Sequence, residues 1–428
     1  MTMLLLFLLG AAVVGLVLLD LVIRNVVVGA LLLFVVVVLD HSNALPPSLA
    51  SFGLNVGLND LLAVILTAAA TARLLRMRYL PSAHGLLLAM VALASFSVVT
   101  GVMRYGQGAV SEARPWVWFL ATATYFATAR LSQDDYDRIG QYWVWAGVAL
   151  MAVAYLRWGA LAGSLPSVSI LSYDLGDLRV IRARETLLIA QAFFIVAPLW
   201  RNRGNLMYRW LGVAMLATVL LMRHRSLWVA IVVALVVIMV REPKLGRRFG
   251  GLVIVAVLAG GGLFTIFLDG GEEQVEASAS SSSFEWRMKG WATLLTDNGP
   301  QDILDTAFGM PFGSGWGREV AGVANETRPH SHYVEAALRL GVTGLVAMLA
   351  CYWIVFRKLW RRPPEHYRGL LTGDVLLYLL VVQLALSVTY DLRETGGLVL
   401  GLAMARLLRA PERAGEPVQR MPVTVARL

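Results

Sequence analysis

The sequence predicts an all-α polytopic integral membrane protein of about 12 to 13 transmembrane helices, with one large extracytoplasmic loop carrying short helices. Three observations predict it. Hydrophobic residues make up 58% of the 428 positions and charged residues 15%, whereas a soluble domain is about one quarter charged. Apolar windows of at least about 17 residues, long enough to cross a bilayer core, recur from one end of the chain to the other. Ala, Gly, Thr and Trp are mixed within these windows, which points to helices rather than to the strict alternation of barrel strands.

In chain order the apolar windows fall near 3–23, 26–40, 58–73, 83–100, 115–130, 142–160, 184–200, 207–222, 226–240, 249–268, 333–356, 370–388 and 395–408. Only Arg24 and Asn25 separate the first two. They read either as a hairpin of two short spans or as one span with an interfacial piece. The first window lacks a basic leading region and a small-residue cleavage site, so it is not read as a removable signal. The chain then divides into N-terminal membrane helices over 1–268, an extracytoplasmic loop over 269–331, C-terminal membrane helices over 332–408 and a basic tail over 409–428.

The formal charge is +9, but its distribution argues against a nucleic-acid partner. Basic residues concentrate in alternate loops, at 73–78, 201–209, 241–248 and 357–368 and from Arg406 onward. That is the positive-inside pattern, which sets the tail in the cytoplasm and residues 269–331 outside. A basic face against anionic membrane lipids accounts for the excess charge. The single cysteine, Cys351, falls inside an apolar window. It is expected as a buried thiol, with no disulfide framework and no cysteine metal site.

The external loop opens on Asp269-Gly270-Gly271-Glu272-Glu273 and a serine run from Ser278 to Ser283. Ser282 with Glu285 fits a capping box. Phe284, Met288, Trp291 and Leu295 recur at helical spacing, and Asn298-Gly299-Pro300 ends the run. This predicts an amphipathic helix over 283–297 lying on the membrane surface. The stretch Phe308-Gly309-Met310-Pro311-Phe312-Gly313-Ser314-Gly315-Trp316-Gly317 follows. Its glycines permit tight turns and close backbone approach. Without the lysine and hydroxyl residue of a Walker loop it is no nucleotide cradle.

Arginines are expected to be scarce outside the membrane, yet three sites carry them. They are Arg179, Arg182 and Arg184; Arg223-His224-Arg225; and Arg287. Charge set against the topology gradient at membrane depth points to function. Arginine's planar fork of donors suits a phosphate. The competing reading is that each guanidinium snorkels to lipid or pairs with a local carboxylate. Further on, Arg328-Pro329-His330-Ser331-His332-Tyr333-Val334-Glu335 joins the polar loop to an apolar window. A histidine at that border meets water and lipid together, where a base is needed to join a soluble acceptor to a lipid-borne donor. His330 and His332 diverge by about 200 degrees on a helix, and no HExxH-like set is present, so no metal is expected. Asp391, Arg393 and Glu394 read as a local salt bridge in a short turn, or as the border of an acceptor path.

The order His330-Ser331-x-Tyr333-Val334-Glu335 and Leu340-Gly341-x-x-Gly344 resembles the C-terminal signature of the O-antigen ligase and polymerase superfamily. Arg225-Ser226-Leu227-Trp228 resembles the family's Ser-Arg segment with its order inverted, which leaves open whether Arg223 or Arg225 fills that place. Trp286-Arg287-Met288-Lys289-Gly290-Trp291, followed by Gly313-Ser314-Gly315, resembles its Arg-x-x-x-Trp helix and Gly-x-Gly turn. Arg339 departs from the acidic residue common before Leu-Gly.

The resemblance implies a GT-C-like, metal-independent, inverting glycosyltransferase without a cofactor. It would act on the outer face of the plasma membrane, and its donor would be a glycan on polyprenyl (undecaprenyl) diphosphate. The acceptor hydroxyl would belong to a lipid or protein or to a second glycan, so ligase and polymerase both stay open. His330 is then expected as the base and Glu335 as its partner. Arg225, Arg287, Arg223, Arg182 and Arg184 are expected on the diphosphate, and His332, Tyr333, Lys289 and Trp291 along the substrate. The alternative is a transporter or flippase of a lipid-linked or anionic substrate. Such a protein should carry ionisable residues near mid-membrane, while here they gather near span ends.

Overall fold

The computed structural model describes residues 15–42, 50–51, 55–77, 80–161, 180–201, 206–247, 249–251, 282–297, 299–320, 323–364 and 369–408. The expected span at 249–268, the opening of the external loop, Arg179 and the basic tail beyond residue 408 fall wholly or mostly outside them. The described chain is helical, with two two-stranded antiparallel ribbons, β1 (Ala50–Ser51) with β2 (Asn55–Val56) and β3 (Arg318–Val320) with β4 (Val323–Asn325).

A helical stretch over 15–24 precedes α1 (Val26–His41). Asn25 stands between them: its N–H donates to Leu21, closing the last turn of the first stretch, and its carbonyl accepts from Gly29. Asn25 caps α1 by accepting from the amides of Val27 and Val28, as expected for a side-chain oxygen at a helix start. The Arg73 guanidinium donates to the carbonyls of Val22 and Ile23, which helix termination leaves orphaned.

There follow α2 (Leu58–Leu74), α3 (Ser82–Tyr105), α4 (Gln107–Ala127), α5 (Gln133–Leu161), α6 (Ala183–Val196), α7 (Leu206–Leu221) and α8 (Arg225–Arg241). After them come α9 (Ser282–Thr296), α10 (Ile303–Phe308), α11 (His332–Arg339), α12 (Gly341–Arg361), α13 (Gly373–Leu386) and α14 (Glu394–Leu408). Three are long and apolar enough by length and composition to cross a bilayer: α3, α5 and α12. The apolar helices α1, α7 and α13 sit where spans are expected but run 16, 16 and 14 residues, against the roughly 20 needed for a full crossing.

Helices α6 and α13 are buried around nearly their whole circumference, so they form the centre of the bundle. Gly397 and Gly401 let α14 lie close on α4: a β-carbon at Gly401 would stand 2.6 Å from the Ala123 carbonyl oxygen. Small residues at such positions allow helix backbones to approach. Cys351 is buried in α12, as expected. Near the junction of α8 with α13, Arg241 pairs with Asp374 at 2.5 Å and donates to the carbonyls of Trp360 and Arg362. That takes up acceptors at the end of α12.

One expected span is corrected. Residues 333–356 are not one span. Gly341 adopts φ +68°, a region open to glycine, and the chain turns there between α11 and α12. The helix α9 forms where predicted. Met288 is 48% exposed and Leu295 45%, whereas Trp291 and Leu294 are buried. Gly290 shapes the buried side. Its missing side chain admits Arg318 of β3 (Arg318–Val320), whose Nε would stand 2.9 Å from a β-carbon there. The hairpin of β3 with β4 (Val323–Asn325) therefore meets that side.

Candidate functional site

Helices α1 and α13 end, and α6, α8, α11 and α14 begin, at one end of the bundle. His41, at the end of α1, meets Glu185 at the start of α6 at 3.4 Å. The amide of His332 donates to the carbonyl of Ser387, just past α13, at 2.9 Å. The Arg241–Asp374 pair marks the opposite end, because α8 finishes and α13 starts there.

A cleft of about 320 Å³ opens at the first end, and it is charged. Arg182, Arg184, Arg328, Arg393, Asp391, His224, His330 and Tyr390 all line it. They come from four separate segments: the start of α6, the α7–α8 turn, the run into α11 and the α13–α14 turn. Among the described residues the only carboxylate in the lining is Asp391, whose Oδ2 accepts from Arg393 Nε at 2.9 Å. Burial alone would raise the Asp391 pKa. The guanidiniums of Arg393 and Arg184 outweigh burial and hold it below the usual carboxylate range. It stays ionised, the described lining keeps a net positive charge, and a compact anion is the ligand that charge favours.

His330 opens into this cleft. Its backbone has φ +50°, a left-handed conformation that costs a non-glycine residue about 1–3 kcal/mol. The residues around it hold it there. Trp291 Nε1 donates to the carbonyl of Pro329 at 2.5 Å. Arg318 donates to the carbonyl of Thr327 at 2.6 Å. Arg328 donates to the carbonyl of Glu112. Ser331 caps α11 through the amide of Val334. Burial lowers the imidazole pKa below 6.5, Arg287 lowers it further, Asp391 opposes, and Arg318 and Arg184 add to the fall. At neutral pH the ring is therefore free base, able to accept a proton.

The expected site residues divide accordingly. Arg182 and Arg184 line the cleft with His330. Arg287 is half-buried and acts on His330 through its charge. The α7–α8 turn brings in neither of its arginines. Arg223 adopts φ +58°, Arg225 is exposed at the first turn of α8, and the residue between them, His224, lines the cleft.

Glu335 is buried in α11 behind the cleft, with Oε1 unpartnered among the described residues. Burial raises its pKa to about 7 against the pull of Arg328. His332 is buried against Trp116, ring centroids 4.2 Å apart, and burial lowers its pKa to about 3. It is a neutral packing residue, outside the cleft lining. The Tyr333 hydroxyl donates to the Leu384 carbonyl at 2.9 Å. Trp291 serves Pro329 as described, and Lys289 is exposed on α9. None of these last four lines the cleft.

Sequence reasoning passed over Arg328 and Tyr390 and read Arg393 chiefly as half of a local pair. The rule that singled out the other arginines, positive charge on the side where it should be rare, covers Arg328 and Arg393 as well. The glycine-rich stretch makes the tight turns expected of it, with φ +90° at Gly309 and Gly313 and +82° at Gly315. The close approach at Gly309 is to the backbone of Arg339. No protein-family profile, curated protein or solved structure matches the chain.

Proposed function

We propose that this chain is a glycosyltransferase, a ligase or polymerase of cell-surface polysaccharide. It moves a glycan from a polyprenyl diphosphate carrier to an acceptor hydroxyl at the outer face of the plasma membrane. One observation carries the reading: a free-base histidine and four arginines, distant in sequence, line a single cleft at one end of an apolar helical bundle.

The chemistry asked of such a site is modest. The acceptor oxygen attacks the anomeric carbon, and the bond from that carbon to the diphosphate oxygen breaks. The electron pair leaves with the polyprenyl diphosphate, and the configuration inverts. The acceptor's proton passes to His330 and then to water, a role worth roughly 10²–10⁴ in rate. Arg182, Arg184, Arg328 and Arg393 meet the negative charge that grows on the leaving group. One well-placed donor of this kind is worth on the order of 3–4 kcal/mol.

The test is transfer by the purified full chain in detergent, supplied with a polyprenyl-diphosphate-linked glycan and an acceptor. Transfer by the wild type that His330→Ala abolishes, with donor binding retained, supports the reading. Wild-type-like transfer in His330→Ala overturns the base. Movement of labelled substrate across sealed vesicles by the same variant would favour a transporter instead.

A further inference from the structure

We infer that the buried Glu112–Arg339 pair is a positioning device for His330 and Arg328, an inference that rests on the transferase reading above. Arg339 is fully buried and ion-paired through Nε with Glu112 of α4. Its remaining donors go to the glycine-rich loop, to the Ser314 hydroxyl and, at 2.6 Å, to the Gly315 carbonyl. Its guanidinium also lies 4.0 Å from the Trp316 ring centroid. Glu112 answers in three directions. One carboxylate oxygen takes Arg339, the other accepts from the Gly313 amide at 3.0 Å, and its backbone carbonyl accepts from Arg328.

One junction therefore ties α4, the loop over 309–317, α11 and the run into His330. The consequence is mechanical. Arg328 and His330 both line the cleft, and His330 holds a left-handed backbone that an unrestrained chain leaves readily. The junction pins the chain before that residue through Arg328. It pins the helix after it through Arg339. Lysine cannot replace the arginine, because three divergent donors on a point charge do not reproduce a planar five-donor fork. Neither residue touches the cleft, so their effect is on geometry.

Two variants of the full chain test this. Arg339→Lys keeps the charge. Glu112→Gln keeps the volume and the carbonyl that Arg328 uses. The first readout needs no activity: hydrogen exchange of amides 309–315 rises about tenfold in either variant, while exchange in α9 stays as in the wild type. The second readout is kinetic. kcat falls about 10²-fold, as a misplaced base requires, while KM for the donor stays within about threefold.

The acidic limb of the pH profile also moves up toward 6.5, because His330 drifts from the cations that lower it. Unchanged exchange in both variants overturns the junction. Raised exchange with kcat within twofold of wild type overturns its positioning role, and so does a loss confined to KM. A wild type that transfers nothing fails the transferase reading instead, and the exchange rates then decide the junction alone. Should Arg339→Lys not fold, Glu112→Gln and Ser314→Ala carry the same comparison.

Discussion

The Nε2 atom of His224 lies 3.0 Å from the carbonyl oxygen of Ile181. A carbonyl only accepts, so this nitrogen carries the proton, and the ring is a donor between two chain segments. It ties the α7–α8 turn to the residues that lead into Arg182 and Arg184. The His224→Ala variant should therefore loosen the arginine wall. Leaving a buried carbonyl unpaired costs about 1–3 kcal/mol. The expected outcome is a lower melting temperature in detergent, with donor affinity weakened at least several-fold. Isothermal titration with the lipid-linked donor checks the second part, and unaltered affinity would remove His224 from the cleft's framework.

The pH dependence of transfer follows from His330. The base form is needed, and burial with Arg287 places its pKa below 6.5. kcat/KM should accordingly hold as pH falls through 6.5 and decline only below it. In Arg287→Ala one lowering influence is gone, so the acidic limb should move upward. A limb in that variant at or below the wild-type position would show that the two side chains do not communicate.

Glu335 has a signed effect on stability. Its pKa is about 7 in the fold and about 4.3 in an unfolded chain. Between those values the folded state holds a proton that the unfolded state has released, so stability falls as pH rises from about 4.3 to 7. Glu335→Gln removes this penalty. The variant should melt higher than the wild type at pH 8, and the difference should shrink to nothing near pH 4. Melting curves across that range test it, and a gain independent of pH would contradict the burial argument.

The arginines should separate in donor binding. Arg184 and Arg393 line the cleft, and Arg225 is exposed outside it. Alanine at position 184 should weaken donor binding about ten- to a hundredfold, as lost charge-assisted hydrogen bonds do. Alanine at position 225 should leave it within about twofold. The reverse order, measured on the same donor, would return the diphosphate to the start of α8.

Much of the architecture was legible without coordinates because apolar periodicity and charge are local properties of the chain. The helices near 58–73, 83–100, 142–160 and 207–222 lie close to where those windows predict. The helix after Ser282 does too. The side it turns inward, with Trp291 and Leu294, meets Arg318 across Gly290, a contact between strand and helix that no helical spacing encodes. The break at Gly341 was hidden in the same way. A glycine inside an apolar window is compatible with a continuous helix, and only the fold shows that a β-carbon there would collide with the Ala307 carbonyl oxygen of α10.

The candidate site divides on the same line. The amino-acid order by itself determined that histidine and arginine would stand at the ends of apolar runs, because segregation of charge from apolar runs is written residue by residue. Which of them would meet was decided only by packing. His224 rather than Arg225 faces the cleft because the turn after α7 takes a left-handed step at Arg223. Arg393 joins Arg184 because the α13–α14 turn and the start of α6 come together at one end of the bundle. Meetings of that kind depend on how helices far apart in the chain settle against one another. Side-chain direction at the end of a helix is set by that settling, not by the identity of the side chain.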